Sequence, residues 1–78
     1  MKIVFLGRLA DAVGERERNL DLPPEIADVD ALRGWLGEQI RALLDPTVRV
    51  IVNNVLAHRG QAIAADDEVA FFPPVRGG

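Results

Sequence analysis

Between Asp28 and Leu43 the chain carries one long apolar stripe of helical period: Val29, Leu32, Leu36, Ile40 and Leu43 recur at three- and four-residue steps. Residues spaced in this way share one side of a 3.6-residue helix. The remaining apolar runs are short and alternate every second residue, which reads as strand. A chain with one such helix and several strands must lay that helix on one sheet, a two-layer α+β arrangement. Asp28 stands at the N-cap position, Asp30 lies in the positive first turn, and Ile26 is placed to staple the entry. Asp45-Pro46 is predicted to end the helix. Gly34 and Gly37 weaken it by about 1 kcal/mol each relative to Ala, and would let it lie close on the sheet. Trp35 flanks the stripe and reads as partly buried packing.

The strands follow from alternation. Lys2 to Leu6 puts Ile3 and Phe5 on one face and Val4 and Leu6 on the other. Apolar residues on both faces mark a central strand, or one whose second face meets a partner. Leu9 to Val13 has the spacing of one or two helical turns, with Gly14 as a cap. Arg18 to Leu22 reads as a second strand with Leu20 and Leu22 inward, closed by Pro23-Pro24. Arg49 to Asn53 is a third strand, Asn53-Asn54 a turn, and Val55 to Ala57 its short continuation. Gln61 to Ala64 reads as a short edge segment, and Asp67 to Phe72 as the last strand. The first and last strands are the most apolar and are expected side by side at the centre, with the helical connection making some pairs parallel. The predicted core is Ile3, Phe5, Leu20, Leu22, Leu32, Leu36, Ile40, Val50, Val52, Val69 and Phe71. Parity leaves Leu6 and Phe72 outside, near the root of the tail, as candidate partner contacts; Leu56, which follows the turn-prone Asn53-Asn54 pair and whose face alternation does not fix, is added to them, together with Pro73 and Pro74.

The last strand runs into an unusual tail. Pro73 and Pro74 stop the ladder because neither offers a backbone N–H. Val75 and Arg76 continue an extended path, and the chain finishes on Gly77-Gly78. Two residues without side chains put a carboxylate on a thin stalk able to enter a slot closed to any side chain. The stretch from Val75 to Gly78 reaches at most about 14 Å when fully extended. That suffices to enter a partner's active site while the folded body stays outside.

Composition narrows the function. A chain of 78 residues makes one domain, 1–78, and buries only about 60–65% of its unfolded surface. A net charge of −3 argues against a nucleic-acid binder, which needs a basic stripe. The acidic run Asp66-Asp67-Glu68 reads as a solvated turn. The sequence has no cysteine, so disulfides, thiolate metal sites and a cysteine nucleophile are excluded. The apolar run at Met1 to Gly7 is too short to span a membrane and has no signal-peptide pattern, so a cytoplasmic protein with no membrane partner is expected.

Ordinary catalytic equipment is missing as well. His58 is the single histidine, beside Arg59-Gly60, and reads as an exposed loop residue. No serine is present for a Ser-His-acid set, and no zinc spacing or glycine-rich phosphate loop occurs, so no metal or cofactor is expected on this chain. The chain alone is expected to be non-catalytic. Its reactive group is the Gly78 carboxylate, which is inert to substitution until activated. Adenylation by an outside enzyme using ATP would make a mixed anhydride. A sulfur donor or a lysine amine could then capture it.

The tail Asp67-Glu68-Val69-Ala70-Phe71-Phe72-Pro73-Pro74-Val75 with Gly77-Gly78 resembles that of the small subunits of molybdopterin synthase, a family of ubiquitin-like sulfur carriers. The N-terminal strand, Val13-Gly14, Ala31-Leu32 and Val52-Asn53 fit the same pattern. The resemblance implies a ubiquitin-like β-grasp fold, a mixed sheet of about five strands under one main helix. It implies that an E1-like adenylating enzyme activates Gly78 and that a sulfur donor protein turns it into a thiocarboxylate. The tail of Val75, Arg76, Gly77 and Gly78 would then enter the large synthase subunit of a heterotetramer and give sulfur to cyclic pyranopterin monophosphate, forming the molybdopterin dithiolene. Two departures stand out. Asp66 replaces the family's usual Gly, and Arg76 stands where Thr or Ser is common. Arg76-Gly77-Gly78 is similar to the end of ubiquitin and supports a protein-modifier alternative, beside carriers for thiamine or cysteine. Phe71 to Val75 favours the molybdopterin family.

Overall fold

The computed structural model describes residues 1–73. Its elements are β1 (Lys2–Phe5), α1 (Arg8–Val13), β2 (Glu17–Asn19), α2 (Val29–Gly37), a 3₁₀ turn (Arg41–Leu44), β3 (Arg49–Val52), β4 (Val55–Leu56) and β5 (Glu68–Phe72). The five strands form one mixed sheet in the order β2-β1-β5-β3-β4. The two most apolar strands, β1 and β5, lie at its centre and pair parallel, Ile3 beside Val69 and Phe5 beside Phe71. β2 joins β1, β3 joins β5 and β4 joins β3, each antiparallel. This is the ubiquitin-like β-grasp: a mixed sheet of five strands with one main helix on one face.

Alternation fixes which side of each strand is buried. Ile3, Phe5, Val50, Val52, Val69 and Phe71 point into the core beneath Val29, Leu32 and Leu36 of α2. Leu9, Leu43 and Val48 close its ends. Asp28 caps α2 as its sequence position predicts, its Oδ1 accepting the Ala31 N–H at 2.8 Å. Asn53 and Asn54 adopt positive φ, 49° and 70°, the backbone a two-residue hairpin needs. Asp66 is not among the positive-φ residues, so the turn before β5 works without the family's glycine.

Three expectations change. The predicted long helix is two pieces. Helix α2 stops at Gly37, and Ile40 leaves the helical region at φ −116° and ψ 82° before the 3₁₀ turn begins. A Cβ on Gly37 would lie 2.2 Å from Leu44 Cδ2, so the bare glycine gives the returning chain its space. The Arg33 guanidinium holds the return in place, donating from Nε to the Leu43 carbonyl at 2.7 Å and from Nη2 to that of Asp45. Ile40 and Leu43 remain buried although the helix that predicted them has ended.

The second strand is shorter and starts earlier than read, and Leu20 and Leu22 lie beyond it, half-buried against the rim of the core. Leu20 has the inward parity, since Arg18 opposes the inward Ile3. However, β2 is an edge strand, and edge positions lie outside the cover of α2. The segment from Gln61 is not an edge of the sheet. Ala62 bridges Asp28, Val29 N–H donates to the Gln61 carbonyl and Ile63 N–H to that of Ala27, so it clasps the start of α2.

Candidate functional site

With α2 on one face, the opposite face of the sheet has no layer over it among the described residues. Register puts its outward side chains in rows. Val4 lies beside Ala70, Ala70 beside Ile51, and Ile51 beside Leu56, giving an apolar row across four strands. In the next row Phe72 of β5 stands opposite Arg49 of β3. Val4, Ala70, Ile51 and Phe72 are half-buried, screened by each other, while Leu6, Val55 and Leu56 are 38%, 64% and 54% exposed. Contiguous exposed apolar surface of this kind marks a docking surface.

The tail leaves from the edge of this face. Leu6 continues the parallel ladder past β1, its N–H donating to the Phe71 carbonyl at 2.9 Å. Gly7 then turns at φ 54°, a left-handed conformation that suits glycine. A Cβ there would sit 3.5 Å from Pro73 Cγ, so the turn runs directly under the start of the tail. Leu6, Leu56, Phe72 and Pro73 therefore belong to the uncovered face or its margin. Phe72 has the outward parity read from the sequence but is half-buried rather than fully exposed, because its neighbours on the sheet shield it. Pro74, Val75, Arg76, Gly77 and Gly78 lie outside the described residues. Val4, Ile51 and Ala70 complete the face. Their outward parity was readable, but which of them would be neighbours depends on register.

Behind β5 a polar network ties the strand to the β3–β4 hairpin. Asn53 Nδ2 donates to Asp67 Oδ1 at 3.0 Å, and Asn53 Oδ1 accepts the Glu68 N–H at 2.9 Å. Asp67 Oδ2 accepts the Ala64 N–H at 2.8 Å. These bonds to the charged form, Asn53 first and Ala64 second, hold the Asp67 carboxyl below its ordinary value. The network positions β5 and makes no reactive pair. His58 is exposed, with Nδ1 2.9 Å from the Arg59 carbonyl. Among the described residues no three His, Cys, Asp or Glu side chains cluster as metal ligands, and no helix is long and apolar enough to cross a membrane.

Comparison with known proteins agrees with this architecture. The ThiS family model matches residues 3–78. The molybdopterin synthase sulfur carrier subunit of Escherichia coli (strain K12) is 32% identical over 82 aligned positions, covering 100% of this chain and 99% of that protein. Among solved structures, SAMP1 from Haloferax volcanii is 31% identical with a TM-score of 0.79, covering 100% of this chain and 98% of that one. Urm1 from Sulfolobus solfataricus shares the fold at 15% identity, with a TM-score of 0.64 and coverage of 94% and 99%. With a mixed five-stranded sheet under one helix, and a family match that runs through Gly77-Gly78, the chain belongs to the ThiS family of ubiquitin-like sulfur carriers.

Proposed function

We propose that this chain is the sulfur-carrier subunit of a molybdopterin synthase. The observation that carries the reading is the end-to-end similarity to a molybdopterin synthase sulfur carrier subunit, with Gly77-Gly78 inside the matched span. In this reading an E1-like enzyme presents ATP to the Gly78 carboxylate. The carboxylate oxygen attacks the α-phosphate, pyrophosphate leaves, and an acyl-adenylate forms. A sulfide equivalent from a sulfur donor protein displaces AMP and leaves a thiocarboxylate. The large subunit takes up the tail from Val75 to Gly78 and passes the sulfur to cyclic pyranopterin monophosphate, in a heterotetramer of two small and two large subunits. In this reading the cycle runs in the cytoplasm.

The proposed labour is divided between the chain and its partners. In this reading the chain's body docks through its apolar face, with Leu6, Leu56, Phe72 and Pro73 as contacts and Pro74 as a contact expected from the sequence, and the partners supply the catalytic groups. Docking of that face, in this reading, fixes where the tail begins. Positioning of this kind matters because a misplacement of about 1 Å costs on the order of 100-fold in rate.

A second reading has its own support. SAMP1, a small archaeal modifier protein, is 31% identical, and Arg76 precedes Gly77-Gly78 here. A modifier would join Gly78 to lysine amines instead of exchanging oxygen for sulfur. Intact mass of the chain from cells making the cofactor separates the two. One oxygen replaced by one sulfur supports the carrier, and a ladder of conjugates supports the modifier. Deleting Gly78, or adding one residue after it, should abolish adenylation measured by pyrophosphate release and leave the thermal melt unchanged. An added residue moves the carboxylate by about 3.5 Å. Normal sulfur delivery from either variant would overturn the carrier reading.

A further inference from the structure

Beside the apolar face runs a groove of a different character. It lies between the start of α2 and the backbone on either side of β3 and β4, with a volume of about 620 Å³, within the range of ligand-sized clefts. Val29, Val48 and Val50, all buried, form its floor. Arg33, Arg49 and Arg59 line it, against one carboxylate among the described residues, that of Asp30. Asp30 is already engaged, its Oδ2 accepting the Gly60 N–H at 2.6 Å. Arg33 is engaged too, clasping the Leu43 and Asp45 carbonyls. Arg49 and Arg59 make no ion pair and no side-chain hydrogen bond among the described residues. On a chain of net charge −3 this is a local reversal of sign.

An exposed arginine is ordinarily only solvated. Two placements give these more weight. Arg49 stands directly across the β3–β5 pair from Phe72, one residue before Pro73. Leu56 lines the groove and also ends the apolar row through its pairing with Ile51. The groove and the apolar face thus share Leu56, and Arg49 brings the groove's lining beside the last residue of β5. The groove's apolar floor and cationic rim suit a peptide that offers both carbon and carboxylate, whereas a bare phosphate would leave the floor unused.

We propose that this groove receives an acidic peptide segment of the enzyme that processes the tail, with Arg49 and Arg59 pairing with its carboxylates. The identity of that enzyme rests on the carrier reading, but the charge preference of the groove does not. Charges at an interface rim act mainly on association rate, salt dependence and choice of partner.

The test has two parts. The ¹⁵N-labelled full chain is titrated with hexaglutamate at low salt. Saturable amide shifts at Asp30, Arg49 and Ala57 to Arg59 are expected, with loss of those shifts in an Arg49→Glu/Arg59→Glu variant whose melt matches wild type. Absence of groove shifts, or tighter binding of tripolyphosphate than of hexaglutamate at the same amides, would overturn the proposal. In the second part the same variant is offered to the adenylating enzyme. KM for the chain should rise about tenfold or more with kcat unchanged, and the Arg49→Lys/Arg59→Lys variant should restore it. An unchanged KM would overturn the assignment of the groove to that enzyme. Failure of the wild-type chain to be adenylated would instead sink the carrier reading, and the hexaglutamate titration would still decide the groove.

Discussion

Phe5 and Phe71 stand side by side on the parallel central strands, their ring centroids 6.3 Å apart and their planes 18° from parallel. Both are buried, at 2% and 0% exposure, so this pair ties the first strand to the last at the point where the tail departs. A ring separation in this range adds to the stabilisation from area burial alone. The first and last strands are thus joined by an aromatic contact one residue before Phe72, the end of β5.

Phe71→Ala should therefore cost about 3–5 kcal/mol in a urea melt. That loss takes much of the stability of a small domain, so Phe71→Leu is the companion variant, expected to lose about 0.5–3 kcal/mol and remain folded. A loss for Phe71→Ala no larger than a surface substitution would show that the central pair is not the core's anchor.

Two glycines of α2 should respond in opposite directions. Gly34 has open space where a Cβ would go, and α2 gains from a better helix former, so Gly34→Ala should stabilise by about 0.5–1 kcal/mol. Gly37 has Leu44 Cδ2 at 2.2 Å and Leu44 Cγ at 2.7 Å from the new Cβ. Gly37→Ala must displace the Leu44 side chain and should cost about 1–3 kcal/mol. Thermal melts of both variants give the order, and equal gains would mean that the returning chain moves aside without loss.

The Asn53–Asp67 link predicts an acid limb. Because the Asp67 carboxyl is held low in the folded chain, the unfolded chain takes up its proton first as pH falls. The stabilisation is fully present above the unfolded carboxyl value of about 3.9 and is lost as pH falls through the lower folded value. Asp67→Asn should lower the melting temperature at neutral pH, and the gap to wild type should narrow as pH falls below the unfolded carboxyl value and through the lower folded one. A gap independent of pH would assign the effect to shape and not to charge.

Phe72 is the outward residue nearest the tail on the last strand. Phe72→Ala should weaken binding to a large synthase subunit by ~2 kcal/mol or more while the chain stays folded, as measured by calorimetry beside a thermal melt. Unchanged affinity would remove Phe72 as an anchor and leave Leu6 and Leu56 as the candidates on that face.

The sequence by itself determined the buried side of β1, β3 and β5, the cap and inner stripe of α2, the central place of β1 and β5, and the family resemblance of the tail. These are local properties: alternation, helical period, capping chemistry and a short motif are all written within a few residues of one another. What only the tertiary structure decided involves residues far apart in the chain. Helix α2 ends at Gly37, where the missing Cβ leaves room for the Leu44 side chain, although the apolar stripe runs on to Leu43. Leu20 has inward parity yet sits at the rim, because parity gives the side of a strand and not its distance from the covering helix. The Gln61 segment satisfies its backbone on the start of α2 instead of on the sheet. The groove of Arg33, Arg49 and Arg59 could not be read at all, since three charges dispersed in sequence become one surface only when β3, α2 and the loop after β4 close around a shared core.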